Sequence, residues 1–156
     1  MVQLTIRVQT DDFDLQTEYR ALLEAGGNVG AVASFTGLVR DRDTDTPLSH
    51  LFLEHFPGVT EAEIARIAGK AAKRWPLSAC TVIHRVGELA ADEQIVLVLT
   101  ASEHRKAAFA AAEYLMDYLK TEAPFWKKEH FSDGREHWVE AKQSDQAAAG
   151  KWDTQL

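Results

Sequence analysis

The order in which strand patterns and helix patterns follow one another constrains this chain most. Residues 2–8 alternate apolar and polar side chains, and this period of two predicts a half-buried strand. Three pairs of strand patterns then follow: 29–39 with 48–55, 80–86 with 95–100, and 125–131 with 137–141. The strand patterns do not alternate regularly with crossover helices, which argues against a doubly wound parallel sheet. The chain therefore predicts an α+β domain with a mostly antiparallel sheet.

Three segments with apolar residues at helical spacing separate these pairs. They are a helix that Asp11 or Asp12 caps and Gly26-Gly27 ends, a helix that Thr60 and Glu63 open as a capping box and that stops before Pro76, and an alanine-rich helix from about Glu103 to Thr121 that Ser102 caps. Asp133-Gly134 is typical of a hairpin turn.

The composition is that of a globular protein, with 46% apolar and 26% charged residues. The length of 156 residues fits one domain, which we take as 1–156. The tail after Lys142 is polar and alanine-rich, so we expect it to be ordered only in part, with Trp152 able to hold it to a surface.

The charge and the apolar runs exclude several classes of protein. A net charge of −7 argues against nucleic-acid binding, which needs a basic surface. No apolar run reaches the roughly 20 residues that cross a bilayer, and the first residues do not resemble a signal peptide. The single cysteine, Cys80, excludes an internal disulfide framework and suits a reducing compartment, so we expect a cytoplasmic protein without a membrane segment. Cys80 lies in an apolar run and is interpreted as a buried strand residue rather than a nucleophile.

Two lysines form the strongest candidate site. Lys120 lies at the end of the third helix, and Lys127 follows seven residues later in the next strand. Two ammonium groups on one wall would hold an anion and could exchange protons with it. The alternative is that Lys120 only complements the negative end of the helix and that Lys127 is a solvated strand residue.

Two further basic positions suit an anion. His104 and Arg105 open the third helix, where free backbone N–H groups and a positive potential attract phosphate. Arg40 leaves a strand that contains Gly37, and its guanidinium suits a bidentate contact with a phosphate or a carboxylate. The alternatives are an ordinary solvated first turn and a strand bulge with a surface arginine.

The residues offer no metal site. Asp41, Asp43 and Asp45 imitate the start of a calcium loop, but Thr46 replaces the required glycine and Phe52 the required glutamate. The six histidines lack the spacing of zinc ligands.

Seven blocks of sequence resemble those of a known family in order and spacing. They are FTGLVR at 35–40, LEHFPGVTE at 53–61, RWPL at 74–77, VIHRVGEL at 82–89, SEHR at 102–105, MDYLKTEAPFWKKE at 116–129 and WVEAKQSDQ at 138–146. Together they cover nearly the whole chain and resemble the large, catalytic subunit of molybdopterin synthase, the MoaE family.

The resemblance implies a fold, a reaction and partners. The implied fold is the α/β-hammerhead with a small additional β subdomain. In this family a small ubiquitin-like subunit carries a thiocarboxylate on its C-terminal Gly-Gly tail, and its sulfur passes to cyclic pyranopterin monophosphate to form the dithiolene of molybdopterin. The large subunits form a homodimer with a small subunit at each end, a heterotetramer. No cofactor and no metal are implied, because the sulfur arrives on the partner.

The resemblance also implies roles for single residues. Lys120 and Lys127 match the two catalytic lysines, with Lys127 also binding the substrate. Arg40, His104 and Arg105 match the anion-binding positions, although Glu103 stands where a small residue is more usual. Phe35, Met116 and Glu129 correspond to the channel for the glycine tail, where Glu129 would orient a lysine. Two rival readings are a scaffold that has lost activity and a phosphohydrolase that uses the same basic pocket.

Overall fold

The computed structural model describes residues 2–40, 47–139 and 143–153. In chain order its elements are β1 Gln3–Gln9, α1 Leu15–Ala25, β2 Ala31–Leu38, β3 Leu48–His55, α2 Val59–Arg74, β4 Leu77–Arg85, β5 Gly87–Ala90, β6 Gln94–Ser102, α3 Arg105–Leu119, β7 Phe125–Phe131, β8 Glu136–Val139 and α4 Gln143–Gly150, with a 3-10 turn at Lys151–Asp153. No helix in these ranges is long and apolar enough to cross a membrane.

The strands form two four-stranded sheets. The first has the order β1-β4-β6-β2, with β1 and β4 parallel and the other neighbours antiparallel. The second has the order β5-β3-β7-β8 and is antiparallel throughout. The predicted α+β class with mostly antiparallel strands is confirmed, and the second sheet matches the expected additional β subdomain. Strand β5 was not predicted.

Helices cover both faces of the first sheet. On one face α1 packs Leu22 against Ile83, Leu97 and Leu99. On the other face α2 and α3 pack against side chains such as Val82 and Val98. The long strands β4 and β6 are consequently apolar on both sides, and their central positions are buried without alternation.

The predicted cap of the first helix is wrong. The capping residue of α1 is Asp14, whose carboxylate accepts the Gln16 N–H. Asp12 accepts the Phe13 N–H and the Gln94 side-chain amide instead. Three acidic residues in one short stretch can each cap a helix, and periodicity does not distinguish between them.

The other two predicted caps are also wrong. Helix α2 begins one residue after Gly58, and the Gly58 N–H donates to the Glu61 carboxylate. The buried Thr60 hydroxyl accepts the Phe56 N–H and donates to the Pro124 carbonyl, so it joins α2 to the segment before β7.

Ser102 lies at the buried end of β6 and donates to the Pro76 carbonyl, while His104 precedes α3 without a side-chain cap. The hydroxyl groups of Thr60 and Ser102 were both predicted to cap helices, but each bonds to a distant segment instead.

Part of the tail is helical and packs against the domain. Residues 143–150 form α4, and the following Trp152 is buried against Trp75 and Tyr114. The Trp152 indole N–H donates to the Asp117 carboxylate, and its carbonyl accepts a bond from Arg74. The expectation that Trp152 holds the tail to a surface is confirmed.

Candidate active site

A bulge at the end of β2 shapes one side of the site. The register between β2 and β6 shifts between Gly37 and Leu38. A Cβ atom at Gly37 would lie only 2.7 Å from a Val96 methyl carbon, so no larger residue fits there without a shift. After the bulge, two backbone bonds hold Val39: its N–H donates to Glu93, and its carbonyl accepts from Asp92. These bonds place Arg40 just after the end of β2. The sequence predicted this position, because Arg40 follows a strand that contains Gly37.

A cavity of about 470 Å³ lies where the two sheets meet the C-terminal end of α3. Its walls come from β2 and the residues after it, from β3, β6, β7 and β8, and from α3. The lining residues are Phe35, Thr36, Gly37, Leu38, Val39, Arg40, Leu48, Leu51, Ile95, Val96, Met116, Lys120, Phe125, Lys127, Glu129 and Val139.

Three cations from distant parts of the sequence line this cavity: Arg40, Lys120 and Lys127. Lys120 is the exposed residue that ends α3, and its N–H donates to the Met116 carbonyl. Lys127 is half-buried on β7, and Arg40 is exposed after β2. The structure therefore brings together the two lysines and the arginine that the sequence singled out. One exposed lysine and one half-buried lysine thus line the same cavity.

Strand alternation separates Lys127 from its neighbour Lys128. Lys127 and Glu129 line the cavity, whereas Lys128 points to the other face of the second sheet. There the Lys128 ammonium pairs with Glu136 at 2.8 Å and lies 5.4 Å from the Trp138 ring centre. Two adjacent lysines thus have different surroundings, and only Lys127 contributes charge to the cavity.

Part of the cavity lining is apolar. Phe35 on β2 is 42% exposed, and Leu38 is 53% exposed, although both are large apolar residues. Met116 adds a half-buried side chain from α3. The Glu129 carboxylate also faces this volume, but it makes no ion pair with any residue in the described part of the chain. A lining that combines cations with apolar side chains suits a ligand that combines an anionic group with uncharged parts.

His104 and Arg105 lie outside this cavity. Both are exposed at the start of α3, which has 15 residues and is about 22 Å long, while Lys120 is at its other end. Six of the eight residues singled out from the sequence thus share one cavity, and two do not.

The buried thiol is remote from catalysis. Cys80 is fully buried in β4, does not line the cavity, and burial raises its pKa to about 12. This agrees with its interpretation as a strand residue, because a reactive thiol needs an accessible thiolate. Within the described ranges no group of three or more potential ligands could hold a metal ion. The aspartates that imitate a calcium loop lie outside the described residues.

One residue next to the cavity was missed from the sequence. His84 on β4 is 8% exposed, and its ring stacks on Phe125 with centroids 3.8 Å apart. Burial lowers its pKa to about 3, and the nearby Lys127, Lys120 and His55 act in the same direction. The available signal was the two-residue period of β4, which puts His84 on the same face as Cys80.

The fold and the cavity define an α+β protein with a cationic cleft between two mostly antiparallel sheets. The sequence matches the family described as MoaE protein over residues 8–122, and the chain belongs to this family. A relative named molybdopterin synthase catalytic subunit, from Mesorhizobium japonicum, is 57% identical over 149 residues, which is 95% of this chain and 92% of the relative.

Two solved structures agree with the family. The molybdopterin biosynthesis MoaE protein from Burkholderia ambifaria is 47% identical, with a TM-score of 0.82 over 99% of this chain and all of the other. Molybdopterin synthase from Staphylococcus aureus is 28% identical, with a TM-score of 0.80 over 86% of this chain and 96% of that one. The resemblance found in the seven sequence blocks is thereby confirmed.

Proposed function

We propose that this protein is the catalytic subunit of molybdopterin synthase and acts as a sulfurtransferase. It would transfer sulfur from the C-terminal thiocarboxylate of a small ubiquitin-like subunit to cyclic pyranopterin monophosphate. Two transfers would complete the dithiolene of molybdopterin, a step of molybdenum cofactor biosynthesis in the cytoplasm. Relatives that bear the name of catalytic subunit support this reading, because a catalytic subunit is one part of a larger enzyme.

One observation carries the proposal: Arg40, Lys120 and Lys127 line a single cavity that also has an apolar wall. The substrate is a phosphate ester, and the sulfur donor is an anion as well. Cations held by a strand end, a helix end and a strand interior are arranged before either anion arrives. Such preorganised charge stabilises anionic groups and the charge that develops as sulfur moves.

Each cation has a proposed part in the reaction. Arg40 holds the phosphate of the substrate through its planar guanidinium. Lys127, the more sheltered lysine, binds the substrate and stabilises the negative charge that develops on it. Lys120 contacts the incoming thiocarboxylate and transfers a proton. In each transfer the carbon–sulfur bond of the tail breaks and a carbon–sulfur bond to the pterin substrate forms. A carbon–oxygen bond at the same substrate carbon breaks, and that oxygen leaves on the phosphate or as water. A water molecule supplies the oxygen of the carboxylate that the tail regains.

The apolar side of the cavity suits the Gly-Gly tail. Glycine has no side chain, so two glycines can pass through a passage that other residues cannot enter. Phe35 and Met116 line that passage, and their contacts exclude water from the thiocarboxylate. Glu129 lies beside Lys127 on the cavity face of β7, two residues along the strand, from where it can orient a lysine.

His104 and Arg105 enter the proposal through a second copy of the chain. Both are exposed about 22 Å from Lys120, too far to act in the cavity of their own chain. In a homodimer they would complete the anion site of the partner copy. One small subunit at each outer end then gives a heterotetramer.

The test is a reconstituted assay with a thiocarboxylated small subunit and cyclic pyranopterin monophosphate. Wild type should form molybdopterin, whereas Lys120→Ala and Lys127→Ala should largely fail while they still fold and bind the small subunit. Lys128→Ala is the matched control, since this lysine is adjacent in sequence but faces away from the cavity.

Other outcomes would replace the proposal. Wild type that binds the tail without forming product would be a scaffold that has lost activity. Release of inorganic phosphate from the substrate would identify a phosphohydrolase. A chain that does not bind the tail at all would have no part in this sulfur transfer.

A further inference from the structure

His84 is the buried titratable group closest to the cationic cavity that the proposed reaction leaves without a role. Its Nδ1 lies 2.8 Å from the Arg85 carbonyl oxygen, which can only accept a hydrogen bond. The ring therefore carries its proton on Nδ1. The lone pair of the neutral ring is on Nε2, and this nitrogen has no hydrogen-bond partner among the described residues.

The His84 ring lies close to the two lysines of the cavity. The ring stacks on Phe125, and Phe125 and Lys127 line the same cavity from the same face of β7, two residues apart. Side chains at this spacing point the same way about 7 Å apart, so the Lys127 side chain leaves β7 on the same face as the stacked Phe125. The charged and titratable groups near the ring are Lys127 from β7, Lys120 from α3 and His55 from β3.

We propose that His84 is a positioning residue: its Nε2 accepts a hydrogen bond from the Lys127 ammonium group, directly or through one water, and holds that cation toward the cavity. The proposal deepens the proposed function and rests on it for the role of Lys127. It does not make His84 a catalytic residue, because the ring reaches the reaction only through the lysine.

A neutral acceptor has an advantage over a carboxylate at this place. An aspartate beside Lys127 would orient it equally well, but it would also cancel the positive charge that the phosphate and the thiocarboxylate need. An imidazole that stays neutral directs the ammonium group and leaves its charge available to the anions. Burial, together with the two lysines, keeps the ring neutral by lowering its pKa to about 3.

The first measurement needs no turnover. The ¹⁵N resonance of His84 Nε2 reports whether this nitrogen accepts a hydrogen bond. Replacing Lys127 by methionine should move the resonance to the value of a nitrogen without a hydrogen bond. Lys128→Met is the matched control and should leave it in place. A resonance that is unchanged in Lys127→Met would overturn the proposal.

The second measurement separates the two ring nitrogens. His84→Gln puts an amide oxygen near the position of Nε2, while His84→Asn puts an amide nitrogen near Nδ1; both lose the stacked ring. With the acceptor kept, His84→Gln should retain kcat within about threefold. His84→Asn should lose about 10- to 100-fold in kcat with KM little changed, since a misplaced catalytic group slows the chemical step.

The outcomes of the two measurements are distinguishable. Equal losses in both variants, or a larger loss in His84→Gln, would make the ring structural and overturn the proposal. If wild type forms no molybdopterin but the Nε2 resonance depends on Lys127, the proposed function fails while the positioning contact stands. If wild type is active and the resonance ignores Lys127, the enzyme stands and the positioning role fails.

Discussion

The two ends of α3 differ in what their basic residues do within one chain. At the C-terminal end Lys120 complements the negative end of the helix and lines a cavity that Arg40 and Lys127 share. At the N-terminal end His104 and Arg105 oppose the helix dipole, remain exposed and lie outside that cavity. Cations at a helix N-terminus need another reason to be there, and an anion supplied by a second molecule is such a reason.

Two buried residues of β4, Cys80 and His84, differ in the same way, because they lie behind opposite ends of α3. Thr100 lies opposite Cys80 in the sheet and bonds to the Ala108 carbonyl near the start of α3, so the thiol lies behind the N-terminal half of the helix. His84, four residues further along β4, lies near the lysines at the other end. Cys80 is thus surrounded by ordinary core packing, whereas His84 lies next to the cavity. Four predictions test this contrast, beginning with the largest expected effect.

Loss of Lys120 should reduce turnover most. We expect Lys120→Ala to lower kcat by about 10²- to 10³-fold, because it removes a preorganised cation from the cavity. The matched control is Lys73→Ala, since Lys73 is also an exposed lysine at the C-terminal end of a helix, α2. Both changes remove the same interaction with a helix dipole, which is worth only about 0.3–1 kcal/mol of stability. Equal turnover in the two variants would mean that Lys120 only complements its helix.

Loss of Arg105 should be the next largest effect and should be complemented by a second variant. Arg105→Ala alone should lower turnover by about 10- to 100-fold if it binds the substrate of a partner copy. Co-expression with Lys127→Ala should then restore roughly a quarter of wild-type turnover, because half of the dimers are mixed and each of these has one intact site. If turnover stays at the level of the separate variants, Arg105 does not act across a dimer.

The fold was predictable to the extent that it depends on local patterns. The strand pattern at 48–55 predicts β3 with correct ends, and the apolar period of α2 predicts that helix to within about two residues at each end, because burial follows the period. The helix caps were not predictable, since Thr60 and Ser102 bond to carbonyls of distant segments. Strand β5 was missed because its pairing with β3 is a tertiary contact of four residues.

Several residues of the candidate site could be singled out from the sequence only because the chain resembles a known family. From the charge pattern alone Arg40 could equally be a surface arginine after a strand bulge and Lys127 a solvated strand residue. The seven matching blocks singled them out. His84 was missed because it lies in a buried strand and shares no local motif with Lys120 or Lys127. Its proximity to the lysines arises from the packing of β4 against β7 through Phe125, which no local pattern records.

The third prediction concerns stability at the cavity end of the sheet. The pKa of His84 falls from 6.5 to about 3 on folding, so the unfolded chain takes up the proton first. The contribution of the neutral ring is complete above pH 6.5 and is lost as the pH falls from there toward 3. Between pH 7 and pH 5 wild type should lose about 2 kcal/mol relative to His84→Gln, measured by urea unfolding. His104→Gln, at the other end of α3, is the matched control. A difference between wild type and His84→Gln that does not change with pH would show that the ring does not stay neutral on folding.

The smallest effect on turnover should come from Cys80. The sulfur of the product is proposed to arrive on the partner, and the Cys80 thiol is buried with a pKa raised to about 12, so it can neither accept nor pass on sulfur. Cys80→Ala should therefore keep kcat within about twofold of wild type, even though the smaller side chain costs about 1 kcal/mol of stability. Rates measured well below the unfolding temperature separate the two effects. A loss of turnover comparable with that of Lys120→Ala would place a sulfur carrier on this chain. The reaction would then depend on a residue behind the N-terminal half of α3 and not only on the cavity at its C-terminal end.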